Sequence, residues 1–171
     1  GLKPHRICKK GVARTFQSVK IFPEMPVFAN VLLGSTFGRS TTPSDSDAED
    51  EAAGFCAMVG LIDLIEEPAK SLTLANRKRL ELARALATKP QLLLLDEMMA
   101  GLNPTEVSEA MDLVTMIRFM GITVFMIEHV MKAIMNVCDR IMVLHHGEKI
   151  AEGTPQEITN SKTVIEAYLG E

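Results

Sequence analysis

Leu92-Leu93-Leu94-Leu95-Asp96-Glu97 decides how this chain of 171 residues is read. Four consecutive leucines leave no amphipathic alternation, so they predict a strand covered on both faces of a parallel sheet. Two carboxylates follow at once. Placed near a buried sheet end they are costly unless a cation or hydrogen-bond donors compensate them. Ile122 to Ile127 is a second apolar run that begins about 30 residues later, the spacing of a βαβ unit. It too reads as a buried strand, and it ends in Glu128-His129. Between the two runs, a turn around Gly101 leads to Asn103-Pro104-Thr105-Glu106, which offers an N-cap, a proline at the first helical position and an acid at the third. Val107, Ala110, Met111, Val114 and Ile117 then mark the buried stripe of a helix that stops at Gly121.

Upstream, Pro4 to Lys10 reads as a short basic helix closed by Gly11, and Val12 to Phe16 as a strand ending in Gln17. The loop Phe22-Pro23-Glu24-Met25-Pro26 precedes a helix over Val27 to Leu33. The polar run Ser40 to Asp47, with Glu49-Asp50-Glu51 after it, reads as a solvated loop that caps the next helix with acids at its positive end. Alanine-rich Ala52 to Val59 continues that helix, and Leu61 to Ile65 extends the apolar pattern up to Pro68. Leu80, Ala83, Leu86 and Ala87 then recur at helical spacing, with Arg77, Lys78, Arg79 and Glu81 on the other face, in a helix ending near Thr88. Downstream come a helix over Val130 to Cys138, a strand over Ile141 to Leu144, a turn at His146-Gly147, a short strand over Lys149 to Ala151, and a capping box at Thr154-Pro155-Gln156-Glu157. Alternating strands and helices predict an α/β fold with a mostly parallel sheet, and the middle of the chain a small helical region.

Composition narrows the function classes. Eighteen Lys plus Arg against 22 Asp plus Glu give a net charge of −4, which argues against a nucleic-acid partner held by a basic face. The cluster Lys3, Arg6, Lys9, Lys10 and Arg14 therefore reads as the solvated side of one helix. The apolar runs fall far short of the ~20 residues of a membrane-spanning helix. Cys8, Cys56 and Cys138 stand far apart, so neither a disulfide framework nor a zinc site is indicated, and reduced thiols are expected. The methionines between Met98 and Met142 read mostly as core filling, with Met98-Met99 partly exposed beside Glu97.

Ligand sites in open parallel sheets gather at the carboxyl ends of strands. Three such ends here carry Gln17, Asp96-Glu97 and Glu128-His129. An apolar strand ending in Asp-Glu is what nucleotide hydrolases use, one carboxylate serving Mg²⁺ and the other the attacking water. On the residues alone a plainer reading stands beside it: Asp96 caps the following turn, Glu97 is solvated, and His129 is a satisfied core histidine. His145 and His146 read as surface residues of a hairpin turn.

Taken together, these motifs resemble the ATP-binding subunit of an ABC transporter over nearly the whole chain. Leu92 to Glu97 resembles its Walker B strand with the catalytic glutamate, Ala100-Gly101-Leu102-Asn103-Pro104 its D-loop, His129 its switch histidine, and Gln17 after Ala13-Arg14-Thr15-Phe16 its Q-loop glutamine. Arg14-Thr15-Phe16-Gln17, Gly101-Leu102-Asn103-Pro104 and Glu152-Gly153-Thr154-Pro155 look most like importers of branched-chain amino acids. The family's signature, L-S-G-G-Q, falls on Leu72-Thr73-Leu74-Ala75-Asn76, with Leu74 and Ala75 in place of both glycines. No G-x-x-x-x-G-K-[ST] occurs; Gly34-Ser35-Thr36-Phe37-Gly38-Arg39-Ser40 is one residue short, has Arg for Lys, and is rejected.

The resemblance implies a P-loop NTPase-like parallel sheet with flanking helices and an inserted helical subdomain. Residues 1–26 and 90–171 would belong to the RecA-like core and 27–89 to the helical subdomain that carries the signature. It implies ATP and Mg²⁺ as cofactors, with Glu97, His129 and Gln17 catalytic, Asp96 and Gln17 serving the metal, and Thr73, Leu74, Ala75, Asn76 and Asn103 contacting nucleotide. The implied partners are a second ABC ATPase subunit, transmembrane permease subunits and, indirectly, a solute-binding protein, with the chain on the inner face of the cell membrane. Because the family's phosphate loop lies upstream of the Q-loop, the chain is expected to be the larger C-terminal part of a domain and to bind ATP poorly by itself. A related ABC ATPase for lipid-linked export or a non-transport role, and a non-catalytic interaction module, are the alternatives.

Overall fold

Three parallel strands carry the polar ends singled out above: β1 (Val12–Arg14), β2 (Leu92–Asp96) and β3 (Thr123–Ile127), in the spatial order β1-β2-β3. Arg14 pairs with Leu94, and Asp96 with Ile127. A computed structural model of the chain describes residues 1–38 and 43–169. Ser40, Thr41 and Thr42 of the polar run, and Arg39 and Ser40 of the rejected phosphate-loop imitation, lie outside the described residues. The chain divides into two units, Gly1–Ile127 and Glu128–Glu171.

The first unit holds the parallel sheet and five helices: α1 (Pro4–Cys8), α2 (Val27–Phe37), α3 (Asp45–Met58), α4 (Leu74–Ala87) and α5 (Pro104–Phe119). Helices α2, α3 and α4 pack on one another around Val27, Val31, Ala52, Cys56, Val59, Leu61, Leu80, Ala83 and Ala87. Gly34 permits the close approach of α2 to α4: a Cβ there would lie 2.4 Å from the Arg84 carbonyl oxygen. That glycine is internal to α2, which runs through to Phe37 instead of stopping at Leu33, so no phosphate-binding loop forms at Gly34. Asn30 is fully buried and ties the entry loop down, accepting the Phe22 amide and donating to the carbonyls of Phe22, Met25 and Pro26.

Several local expectations need correcting. The acidic run is not a loop before α3 but its first turns, with Ser44 as N-cap accepting the Asp47 amide. Side-chain capping, together with acids near the positive helix end, favours the helix from Asp45 onward. The apolar pattern at Leu61 to Ile65 does not extend that helix: Gly60 turns the chain, and a separate 3₁₀ turn forms over Ile62–Leu64. Strand β1 is shorter than expected, because the Phe16 amide leaves the ladder for the Glu81 carboxylate.

Neither β2 nor β3 is closed on both faces. Leu93 and Leu95 are buried while Leu92 and Leu94 are half-buried, and Phe125 and Ile127 are each 55% exposed. The buried stripe of α5, Val107, Ala110, Leu113, Val114 and Ile117, can cover only one face of the sheet, and β3 is an edge strand of it. Met98 and Met99 are buried, not half-exposed, whereas Met116, Met120, Met131 and Met142 are exposed and fill no core.

Helix α4 departs most from expectation. Lys78 and Glu81, expected on the face opposite the apolar stripe, are 7% and 3% exposed. Leu80, Leu82, Ala83, Ala85, Leu86 and Ala87 are buried along the same helix, so its buried surface is wide enough to take in both charged side chains. Of the five charged residues of α4, Arg77, Arg79 and Arg84 are partly buried and only Lys78 and Glu81 are buried.

In the second unit, β4 (Ile141–His145) and β5 (Glu148–Gly153) form an antiparallel hairpin. His146 and Gly147, with φ of 49° and 84°, make its two-residue turn. Helices α6 (Met131–Val137), α7 (Pro155–Thr159) and α8 (Lys162–Leu169) complete this unit around Ile141, Val143 and Ile158. Thr154 and Glu157 form the expected capping box. Among the described residues no helix is long and apolar enough to cross a membrane.

Candidate functional site at the carboxyl ends of the strands

The leucine strand delivers Asp96 and Glu97 to the end of the sheet and then turns sharply. The Glu97 amide donates to the Ile127 carbonyl at 2.9 Å, and its φ of 48° puts Glu97 in the left-handed region. For a residue other than glycine this conformation costs about 1–2 kcal/mol, so the surroundings must hold it. Lys78 does so from α4: its ammonium donates to the carbonyls of Glu97 at 3.1 Å and Ala100 at 2.7 Å. Gly101, at φ 77°, completes the turn against the Leu74 side chain, which would stand 3.2 Å from a Cβ there.

Gln17 reaches the same place from β1. Its side-chain Nε2 donates to a Glu97 carboxylate oxygen at 2.8 Å, joining residues 80 apart in sequence. Next to them, Arg14 forms a 2.9 Å ion pair with Asp96 and lies over the Phe16 ring, 5.2 Å from its centre. The segment that carries Gln17 is itself held by α4. Glu81 accepts the amides of Phe16 and Lys20, at 3.4 and 2.8 Å, and Arg84 donates to the Lys20 carbonyl. Burial pushes the Glu81 carboxyl above its ordinary range, against the two amide hydrogen bonds and the nearby Arg84 and Lys78.

Of the residues singled out in the sequence, Gln17, Asp96 and Glu97 stand together in the first unit. Thr73 caps α4, accepting the Asn76 amide at 3.3 Å, so Leu74, Ala75 and Asn76 form its first turn. Leu74 is 48% exposed while Ala75 is buried, and Leu74 lines, with Gln17, Ser18, Lys70 and Arg77, a hollow of about 430 Å³. Asn103 caps α5, accepting the amides of Thr105 and Glu106 at 2.9 and 3.0 Å. His129 belongs to the second unit, where it is exposed and its amide donates to the Glu128 carboxylate.

A magnesium ion takes oxygen ligands, commonly one or two carboxylates together with phosphate oxygens and water. Asp96 fits: it is a carboxylate at the end of an apolar strand, and it already takes a cationic guanidinium. Gln17 keeps its carbonyl oxygen as an acceptor, since it meets Glu97 through Nε2. Lys78, Glu81 and Arg14 were missed as builders of this place. The sequence of α4 does not single out the first two, because Arg77, Arg79 and Arg84 stand in the same helix and are only partly buried.

Known proteins resemble the chain over its whole length. A family described as ABC transporter matches residues 2–100, and one described as branched-chain amino acid ATP-binding cassette transporter matches residues 148–171. The chain is 41% identical, over its full length and 72% of the relative, to the high-affinity branched-chain amino acid transport ATP-binding protein LivG of Salmonella typhimurium. It is 40% identical, with the same coverage, to BraF of Pseudomonas aeruginosa, which bears the same description. With the lipopolysaccharide export system ATP-binding protein LptB of Haemophilus influenzae the identity is 29%, over 99% of this chain and 70% of that one. Among solved structures, the ADP conformation of an ATP-binding cassette of an ABC transporter superposes with a TM-score of 0.84 at 28% identity, over 99% of this chain and 72% of that one. The chain therefore belongs to the family of ABC transporter ATP-binding cassettes.

Proposed function

We propose that the chain is the ATP-hydrolysing part of an ABC importer for branched-chain amino acids, working on the cytoplasmic side of the membrane with separate permease subunits. One observation carries the hydrolytic reading: Gln17 and Glu97, 80 residues apart, meet at 2.8 Å beside Asp96 at the carboxyl ends of adjacent strands. Import is favoured over lipid-linked export by the 41% identity to LivG against 29% and 32% to two LptB proteins, and by the match of residues 148–171 to the branched-chain amino acid family.

In this reading Glu97 orients and deprotonates the attacking water, and Gln17 fixes the carboxylate that does so. Asp96 and the Gln17 carbonyl hold Mg²⁺, which supplies charge compensation for the phosphates. His129 contacts the γ-phosphate. Thr73, Leu74, Ala75 and Asn76 present the amides of the first turn of α4 to a phosphate, as a helix N-terminus does. Added Cβ atoms at Leu74 and Ala75 restrict closer approach. Asn103 faces nucleotide across a pair of such subunits, which stand head to tail, and residues 27–89 act as the helical subdomain. A solute-binding protein delivers the amino acid, and nucleic acid has no part. The 171 residues contain no phosphate-loop motif, and by themselves they bind ATP weakly.

The test is Glu97→Gln in the ATP-hydrolysing complex. Loss of a general base costs roughly 10²- to 10⁴-fold in rate, so turnover should fall by that factor while ATP binding persists. Unchanged turnover would remove Glu97 from the mechanism. Uptake of labelled leucine by membranes holding the permeases and this subunit tests the solute; uptake that ignores the subunit would reject the importer assignment.

A further inference from the structure

Glu81 is 3% exposed and has no part in the hydrolytic chemistry proposed above. Each of its oxygens is engaged: Oε2 accepts the Phe16 amide at 3.4 Å and Oε1 the Lys20 amide at 2.8 Å. Those two amides bracket Gln17, one residue before it and three after. Arg84 adds a third tie from α4, donating to the Lys20 carbonyl while lying 5.4 Å from the centre of the Phe22 ring. An apolar side chain of the same size would fill the space but leave both amides without a partner. The interaction is directed at the segment 16–20, and within that segment Gln17 is the residue whose side chain reaches Glu97.

We propose that Glu81 is a positioning residue: by gripping the main chain on both sides of Gln17 it sets the Gln17 amide against the Glu97 carboxylate. The proposal rests on the reading of Gln17 and Glu97 as hydrolytic groups, but the grip is measurable without nucleotide. In Glu81→Gln one oxygen becomes an NH₂ group, which opposes an amide N–H instead of accepting from it. The position keeps its size.

Amide exchange is followed by NMR on the full chain, comparing Glu81→Gln with the unsubstituted protein. At least one of the Phe16 and Lys20 amides, the one left facing the NH₂ group, should exchange at least tenfold faster, with the amides of α5 unchanged. A second readout is specific to positioning: the Gln17 side-chain NH₂ resonances should respond to Glu97→Gln in the unsubstituted background and lose that response when Glu81→Gln is present. Gln17→Ala should leave the Phe16 and Lys20 amides protected, which fixes the direction of control. If Glu81→Gln does not fold, Glu81→Asp, which keeps the charge and withdraws it by one methylene, must give the same pattern.

Unchanged exchange at both amides, or equal acceleration throughout the first unit, would overturn the proposal. So would a Gln17 response to Glu97→Gln that survives in Glu81→Gln. In the ATP-hydrolysing complex the expected effect is a tenfold loss of kcat with KM for ATP unchanged, and no further loss when Gln17→Ala is added. The grip can therefore fail while Glu97→Gln still stops hydrolysis, and it can stand where Glu97→Gln has no effect.

Discussion

The Lys78 ammonium donates to the main-chain carbonyl of Glu97 at 3.1 Å, so a buried cation on α4 holds the one residue of the β2 turn, outside glycine, that takes a left-handed φ. The same ammonium reaches the Ala100 carbonyl at 2.7 Å. Lys78→Met keeps the apolar stem and deletes the donor, leaving two carbonyls to find other partners. Each unsatisfied buried group costs about 1–3 kcal/mol, and the expected loss of unfolding free energy lies in that range. Urea denaturation measures it, and a change below about 0.5 kcal/mol would show that the turn holds itself.

The elements that a sequence pattern records best were those with a period or a cap. The leucine run, the asparagine-proline start of α5 and the capping box of Thr154 all sit where they were expected, because each signal is local. Gln17, Asp96 and Glu97 were legible as strand ends, and the parallel register of β1 and β2 accounts for their meeting. What supports them was not read. The roles of Lys78 and Glu81 depend on main-chain groups 19 and 61 residues away, which no spacing in α4 announces. Half-burial of β2 and exposure of β3 were missed for a related reason: how many layers cover a sheet is a property of the assembled elements.

Gly34 and Gly54 are both helical glycines and should respond oppositely to alanine. A Cβ at Gly34 would stand 2.4 Å from the Arg84 carbonyl oxygen and 2.9 Å from the Ala87 Cβ, so α2 and α4 must separate. Gly34→Ala should destabilise by about 1–3 kcal/mol, as overpacking does. Around Gly54, on the exposed side of α3, nothing lies within 4 Å. Gly54→Ala should stabilise by up to about 1 kcal/mol through helix propensity. Thermal melts of the two variants should move in opposite directions, and a destabilised Gly54→Ala would mean that α3 is held differently.

Asn103 separates a structural role from a nucleotide-binding one. Its side-chain oxygen accepts from the Thr105 and Glu106 amides, and Glu106 returns a bond to the Asn103 amide at 2.9 Å. Asn103→Ala should cost about 0.5–2 kcal/mol of stability without nucleotide, whereas Asn103→Asp, an equally good cap, should cost almost none. If Asn103→Asp retains stability yet weakens ATP binding in the assembled pair, the amide nitrogen serves nucleotide. Equal ATP affinity would leave capping as its whole contribution.

Glu81 should leave a signature in the pH dependence of stability. Burial is the largest influence on it and raises its carboxyl, while the Lys20 and Phe16 amides, Arg84 and Lys78 pull the other way. A carboxyl raised in the folded state holds its proton at pH values where the unfolded chain, with a glutamate near about 4.3, has released it. In that window the folded state binds more protons, so the Glu81 contribution to stability falls as pH climbs from the ordinary glutamate range to the higher folded value. Above that window the loss is complete and constant. The Glu81→Gln variant cannot titrate there, so its unfolding free energy across that window should lack this downward component. The difference between the two proteins, measured by urea denaturation across that range, should therefore slope in favour of Glu81→Gln as pH rises. A slope of the opposite sign would mean that the amides and the two cations outweigh burial, and that the grip on residues 16–20 holds an ionised carboxylate even in mild acid.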